Sequence, residues 1–271
     1  MIEFDPELRA SDAEIILVGC GGTGSALAPL IGRTLHHMRA NRISIPERLV
    51  IVDPDTVEEK NIGRQGFTIA DVGSYKAEIW ARRLSLAFGL EVEFYNEAFA
   101  AKKHVKHYNY RYQPTILLGA VDSYIGRREM ANLKTNTIWI DAGNHKAAGQ
   151  VVIGNTGDIK EINESAWENR RDKDKIQFIP NAALLFPELL EAPEEPEPEL
   201  SCAELLQLNQ QHLLVNQQMA LIAGQYLYKL LMREPIYSNY TVVDTDYLVM
   251  RSEMITREHL VNVVKCSKYS I

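Results

Sequence analysis

A short apolar run, Ile15 to Val18, meets Gly19, Gly21, Gly22 and Gly24 at once, and then Ser25, Ala26, Leu27 and Ala28 open a helical pattern. Strand, glycine turn and helix start in that order leave few folds open. The order fits the first turn of a βαβ unit whose parallel strand is covered on both faces. Glycines let a backbone approach a ligand closely, and the first N–H groups of the helix, with its dipole, face an anion. The same turn without a ligand is a tight strand-to-helix connection, so glycines alone are weak evidence. Their flanks point to nucleotide binding.

The rest of the chain repeats the unit. Leu49 to Val52 ends in Asp53, Pro54 and Asp55; Glu91 to Tyr95 predicts a third strand. Thr115 to Val121 predicts a fourth, ending in Asp122 and Ser123, and Thr137 to Ile140 a fifth, leading to Asp141–Asn144. Gly149 to Ile153 resumes extended structure. Helices are expected over Gly24–Arg39, from an N-cap at Ser74 to Phe88, near Ala100–Tyr108, and from Arg127 to Leu133. An acidic residue ending the second strand suits a ribose hydroxyl. Asp53 lies further from the glycines than the usual spacing of about 20, and it equally suits a cap on the following turn.

Composition excludes several classes. Across 271 residues the net charge is −7, which opposes sequence-independent nucleic-acid binding. Cys20, Cys202 and Cys266 are an odd, widely spaced set without a CxxC pair. They fit a reducing compartment and supply no zinc site. With no signal peptide and no run of about 18 apolar residues, the expectation is a cytoplasmic protein with no membrane segment. His104 and His107 stand three apart with no third ligand near, and Tyr108 to Tyr112 reads as strand-edge packing.

The segment after the second strand carries the chemistry. Asn61, Arg64, Gln65 and Lys76 cluster where a dehydrogenase has no use for them. Cations at the β- and γ-phosphates stabilise departing pyrophosphate, the electrostatic term that dominates nucleotidyl transfer. Taken alone, Arg64 and Lys76 are equally well read as solvated surface charges. Asp122, at the carboxyl end of a parallel strand, is a natural Mg²⁺ ligand.

Together these residues resemble the ThiF/MoeB/HesA superfamily, adenylating enzymes that activate ubiquitin-like and sulfur-carrier proteins. The resemblance rests on the loop Gly19 to Ser25, on Asp53 with Asp55, on Asn61, Arg64 and Gln65, on Lys76, and on Asp122 and Ser123 with Arg127. It covers residues 15–155 and, more loosely, 200–232, and within the superfamily it is most similar to the member of the bacterial PRTRC cassette. It implies that Gly19, Gly21, Gly22 and Gly24 lie against ATP, that Asp53 and Asp55 serve its ribose side, and that Asn61, Arg64 and Lys76 hold the triphosphate with Gln65 in support. Asp122 then holds Mg²⁺ and is the carboxylate on which adenylation depends. Arg127 is either part of that site or a structural ion pair. The implied substrate is the C-terminal carboxylate of a small ubiquitin-like protein, and the implied assembly a homodimer. Arg9 is the lead's only candidate for an arginine reaching a partner's site. Zinc, which many relatives hold in two CxxC pairs, is not expected.

The expected fold is α/β, a doubly wound, mostly parallel Rossmann-like sheet with a crossing loop and a small C-terminal α+β extension. Residues 1–14 form a polar lead of little character, 15–185 the adenylation domain, 186–200 the acidic Pro-rich crossing loop, and 201–271 a C-terminal part that completes the same domain. Trp167 to Lys175 reads as a charged helix or turn. Ser201–Gln211 and His212–Met232 read as two helices, with Val242–Val243, Leu248–Val249 and Val261–Val264 as short strands of a terminal sheet. Cys202, near a helix start, is either an acyl acceptor with a lowered thiol pKa or a packing residue. An NAD-dependent oxidoreductase leaves Asn61, Arg64, Lys76 and Asp122 unexplained. An inactive nucleotide-binding scaffold, or an enzyme for a peptide or small carboxylate, stays open.

Overall fold

The computed structural model describes residues 1–106, 113–133, 136–145, 147–168, 174–191 and 202–268. In chain order, β1 (Glu3–Phe4) precedes β2 (Glu14–Val18), α1 (Gly22–Ala40), β3 (Arg48–Val52), α2 (Lys76–Phe88), β4 (Glu93–Tyr95), α3 (Ala101–His104), β5 (Thr115–Gly119) and α4 (Tyr124–Ala131). There follow β6 (Thr137–His145), β7 (Ala148–Gly154), α5 (Ile159–Glu168), β8 (Lys175–Ile176), α6 (Ala182–Leu185) and α7 (Cys202–Met232). β9 (Ser238–Asp244), β10 (Val249–Met254) and α8 (Arg257–Lys268) close the chain.

Eight strands form one sheet in the order β10-β9-β7-β6-β5-β2-β3-β4. β2 pairs in parallel with β3 on one side and with β5 on the other. The chain therefore winds outward from β2 through β3 to β4, then returns to begin the other half at β5. That reversal opens a crevice at the carboxyl ends of β2 and β5, where doubly wound sheets bind ligands.

Burial explains why β2 is apolar throughout. Alternate residues face opposite layers: Ile15 and Leu17 join Leu27, Ile31, Leu35 and Met38 of α1, while Ile16 and Val18 join Val50, Phe99 and Leu117. The α1 residues recur at spacings of three and four, a helical stripe facing the sheet. α7 lies beside α1 on the same layer, with Val215, Met219, Ala223 and Leu227 in the shared core.

Several expectations need correction. β9 and β10 do not form a separate terminal sheet; β9 pairs antiparallel with β7, and β10 with β9, extending the main sheet. Val261 to Val264 belongs to α8. Among its described side chains α8 buries Leu260 and Val264, one turn apart, so helical spacing overrides β-branched propensity there. α7 is one helix rather than two, since no Gly or Pro breaks it near Gln211 and His212. Asp141 to Asn144 lies inside β6 rather than beyond it. The lead is packed: Ile2, Phe4 and Leu8 are buried, and the Phe4 N–H donates to the Ile236 carbonyl at 2.8 Å. α5 runs from Ile159 to Glu168, so the charged segment expected from Trp167 begins as helix, and residues 169–173 lie outside the described residues. His107, Tyr108 to Tyr112 and residues 192–200 of the crossing loop lie outside the described residues.

Candidate active site

Packing fixes three of the four loop glycines. Gly19 has φ +91°, a left-handed conformation that favours glycine, and a Cβ there would meet the Ala120 carbonyl oxygen at 2.4 Å. A Cβ on Gly24 would stand 1.9 Å from the Gly19 oxygen, and one on Gly22 2.2 Å from the Asn216 Nδ2. Gly21 differs, because a Cβ there meets nothing within 4 Å. It caps α1, and its carbonyl accepts the Ser25 N–H at 3.0 Å. The N–H groups of Gly22, Thr23 and Gly24 have no acceptor among the described residues, and the first turn carries no acidic side chain. Such a helix start accepts an anion.

Asp53 holds this loop from below. It is 4% exposed; one carboxylate oxygen accepts the Cys20 N–H and the other the Asp55 N–H at 2.8 Å. Burial raises its pKa above the ordinary carboxylate range, against the pull of those two bonds and of the Lys76 charge. The Asp55 bond is the turn cap that the sequence left open, and the Cys20 bond ties strand end to glycine loop. A carboxylate offers about four lone-pair sites, so the same group keeps acceptor capacity toward the crevice. The neighbouring Cys20 thiol is fully buried, and burial, then the Asp53 charge, push its pKa up.

Lys76 arrives by backbone pairing. Val57 donates to the Ser74 carbonyl and Lys76 to the Asp55 carbonyl, at 2.9 and 3.0 Å, around a Thr56–Tyr75 bridge. The N-cap of α2 is therefore Tyr75 rather than Ser74, and Lys76 is its first residue. The lysine Nζ meets the Asp55 Oδ2 at 2.9 Å, with side-chain exposures of 7% and 62%. A nearly buried cation thus points at an exposed carboxylate.

The turn carrying Asn61, Arg64 and Gln65 hangs over the start of α1. Asn61 is buried, and its Oδ1 accepts the Glu58 N–H at 2.8 Å. The Arg64 Nε donates to the Lys60 carbonyl at 3.0 Å. The Gln65 Oε1 is buried without a hydrogen-bond partner among the described residues, an acceptor awaiting a donor. One residue on, the Gly66 N–H donates to the Ser25 Oγ at 3.1 Å, fastening this turn to the first turn of α1.

Across the crevice, Asp122 follows β5 and is exposed. Ser123 caps α4 by accepting the Gly126 N–H at 3.1 Å. Arg127 is nearly buried: its Nε meets the Asp141 Oδ2 at 3.3 Å, and its Nη1 meets the Asp122 carbonyl at 3.4 Å. The ion pair of its two readings is present, and it lies beside Asp122. Asp141 is wholly buried, and burial raises its pKa against the pull of Arg127.

Sequence reasoning missed Asp141, Asn144, Thr23 and Asn216 as neighbours of this site. The Asn216 Oδ1 accepts from the Thr23 Oγ at 3.0 Å and from the Asn144 Nδ2, locking α7 onto the glycine loop. Asn216, Gln217 and Gln218 are all polar, so nothing in the sequence singled Asn216 out. Arg9 is exposed at the end of the lead. Cys202 opens α7, and its side chain lies outside the described residues. Among those residues no group of His, Cys, Asp and Glu is arranged to hold a metal ion, and no helix is long and apolar enough to cross a membrane.

A model of the ThiF family matches residues 3–263, almost the whole chain. The chain belongs to the ThiF family. No curated protein sequence matches this ThiF-family chain, whereas solved structures do. PaaA is 16% identical with a TM-score of 0.55, over 91% of this chain and 65% of PaaA. MccB of E. coli, solved with MccA-N7isoASN, is 15% identical with a TM-score of 0.53, over 92% of this chain and 66% of MccB. MccB solved with AMPCPP and MccA is 16% identical with a TM-score of 0.50, over 92% and 65%. Such identities show the shared fold. This ThiF-family chain spans just under two thirds of the length of the relatives it matches.

Proposed function

We propose that this chain transfers the adenylyl group of ATP to the C-terminal carboxylate of a small ubiquitin-like protein. A carboxylate oxygen attacks the α-phosphorus, the bond to the β-phosphate oxygen breaks, and pyrophosphate leaves an acyl-adenylate. The observation that carries the reading is the pairing of an open anion site at Gly21 with the nearly buried Lys76 and, on the facing loop, the exposed Asp122.

In this reading the free N–H groups at the start of α1 bind phosphate oxygens. Asp53 takes the ribose hydroxyls with its remaining acceptor sites, and Asp55 stands beside it. Lys76 exchanges the solvent-facing Asp55 for the phosphates, and Asn61 and Arg64 add donors where negative charge develops. Gln65 contributes its unpaired Oε1 to a hydroxyl or water at the same site. Asp122 would hold Mg²⁺, and the ion would supply neutralisation across the phosphates. Cys202 is the proposed acceptor of any later acyl transfer. The reading also includes a cytoplasmic homodimer, and a role like that of the PRTRC-cassette member.

A second reading, adenylation of a peptide or small carboxylate, is favoured by the MccB structures, which were solved with MccA. ATP–pyrophosphate exchange with candidate partners separates the two. Exchange is expected to need partner, ATP and Mg²⁺, and to disappear in a folded Asp122→Ala variant. Exchange near the wild-type rate in that variant, or tight binding of NAD with none of ATP, would overturn the adenylation reading.

A further inference from the structure

Three elements meet beside the first turn of α1. Asn216 of α7 takes two donors on its Oδ1, the Thr23 hydroxyl at 3.0 Å and the Asn144 Nδ2 near the end of β6. An amide oxygen has two lone pairs. Both are used here, which fixes where the other end of the amide points. Nδ2 lies against Gly22, where a Cβ would stand 2.2 Å from it. Its two hydrogens meet no acceptor among the described residues, and the side chain is partly exposed. The helix beneath is firmly seated. Met219, three residues on, is wholly buried, and a Cβ on Gly149 of β7 would stand 2.6 Å from its sulfur. A donor held in place beforehand costs no reorganisation when charge moves.

The sheet order gives this donor a side. Asp53 ends β3 on one flank of β2, and Lys76 is tied back to that segment through Asp55. β6, which carries Asn144, lies on the other flank, beyond β5. In a phosphoryl-type displacement the attacking and leaving oxygens stand roughly in line. With pyrophosphate departing toward Lys76, attack comes from the flank of β5 and β6, where Asn216 stands. A neutral amide also suits the attacking group. The carboxylate loses its charge as it attacks, so a cation there would favour the ground state, whereas an amide serves a carbonyl oxygen as well.

We propose that Asn216 binds the acyl group, its Nδ2 donating to the carboxylate oxygen that does not attack. The other oxygen forms the bond to the α-phosphorus as pyrophosphate leaves with the electrons of the bond it breaks. The held oxygen becomes the carbonyl of the acyl-adenylate and keeps the same donor. The inference rests on the adenylation reading.

The test is calorimetry on the full chain with two stable mimics. 5′-O-sulfamoyladenosine has no acyl group, and 5′-O-(N-acetylsulfamoyl)adenosine adds one acyl carbonyl. Wild type is expected to bind the acetylated mimic about three- to tenfold more tightly, the worth of one neutral hydrogen bond. Asn216→Ala should erase that preference, whereas a purely structural tie would weaken both mimics alike and keep the ratio. Asn216→Asp keeps Oδ1 with its two donors, so it should also lose the preference, and it serves where thermal melting shows the alanine variant unfolded. Asn144→Ala leaves Nδ2 in place through Thr23 and should retain the preference. No preference in wild type, or one that survives in the Asn216 variants, would overturn the inference while adenylation stands. A wild type that binds neither mimic and no ATP would overturn both.

Discussion

The Asp53 carboxylate holds the Cys20 N–H from across 33 positions of chain, so the second strand carries the geometry of the glycine loop. Removing that acceptor leaves a buried donor unpaired. Asp53→Ala is therefore expected to cost about 1–3 kcal/mol of stability as well as nucleotide affinity. Urea unfolding and ATP calorimetry on the same preparation measure both. Unchanged stability would deny Asp53 its part in holding the loop.

The glycines separate packing from ligand access. Gly24→Ala drives a methyl into the Gly19 carbonyl and should cost about 1–3 kcal/mol, the usual scale of overpacking. Gly21→Ala meets open space, so its melting temperature should stay near wild type while ATP binding weakens. Equal melting temperatures for the two variants would contradict this division.

Lys76 is ion-paired to the largely exposed Asp55, and its charge also favours the ionised form of the buried Asp53, which keeps its two backbone hydrogen bonds when the lysine is lost. Lys76→Ala should keep the fold and slow pyrophosphate exchange by about 10²–10³-fold, the scale of one transition-state donor. Exchange at the wild-type rate would return Lys76 to a purely structural role.

The Arg127–Asp141 pair predicts an asymmetry. Arg127→Met leaves a fully buried carboxylate without its cation and should cost about 3–5 kcal/mol. Burial holds the Asp141 pKa above its ordinary value, so the folded chain binds that proton more readily than the unfolded chain does. Its contribution to stability is largest below the unfolded pKa and falls as pH rises through the raised folded pKa. Asp141→Asn removes that slope but strands the nearly buried Arg127 guanidinium, which cannot lose its charge, so at neutral pH it should cost at least as much as Arg127→Met. Urea melts at stepped pH measure both variants, and a clearly smaller loss for Asp141→Asn would refute the argument.

What the sequence disclosed was local. Ile15 to Gly24 shows its strand, turn and helix because each signal lies within a few residues, and the same holds for Leu49 to Asp55 and Thr115 to Asp122. Distant partners left no such trace. Nothing near Val242 tells that β9 will pair with β7 instead of starting a new sheet, and nothing near Arg127 names Asp141 as its counter-charge. Val261 to Val264 failed for another reason: a short apolar run suits strand and helix alike, and only the buried spacing of Leu260 and Val264 decides. Asn216 stands beside Gln217 and Gln218, so neither its inward turn nor its bond with Thr23 could be read.

The unbroken course of α7 fixes a transit distance. Cys202 precedes Asn216 by fourteen positions, which at 1.5 Å per residue is about 21 Å along the axis. Asn216 is pinned to the mouth of the nucleotide loop, so the cysteine stands several helical turns away from any adenylate formed there. A group handed from phosphate to that sulfur must be carried across the gap, or the first turns of α7 must unwind to bring the sulfur to it.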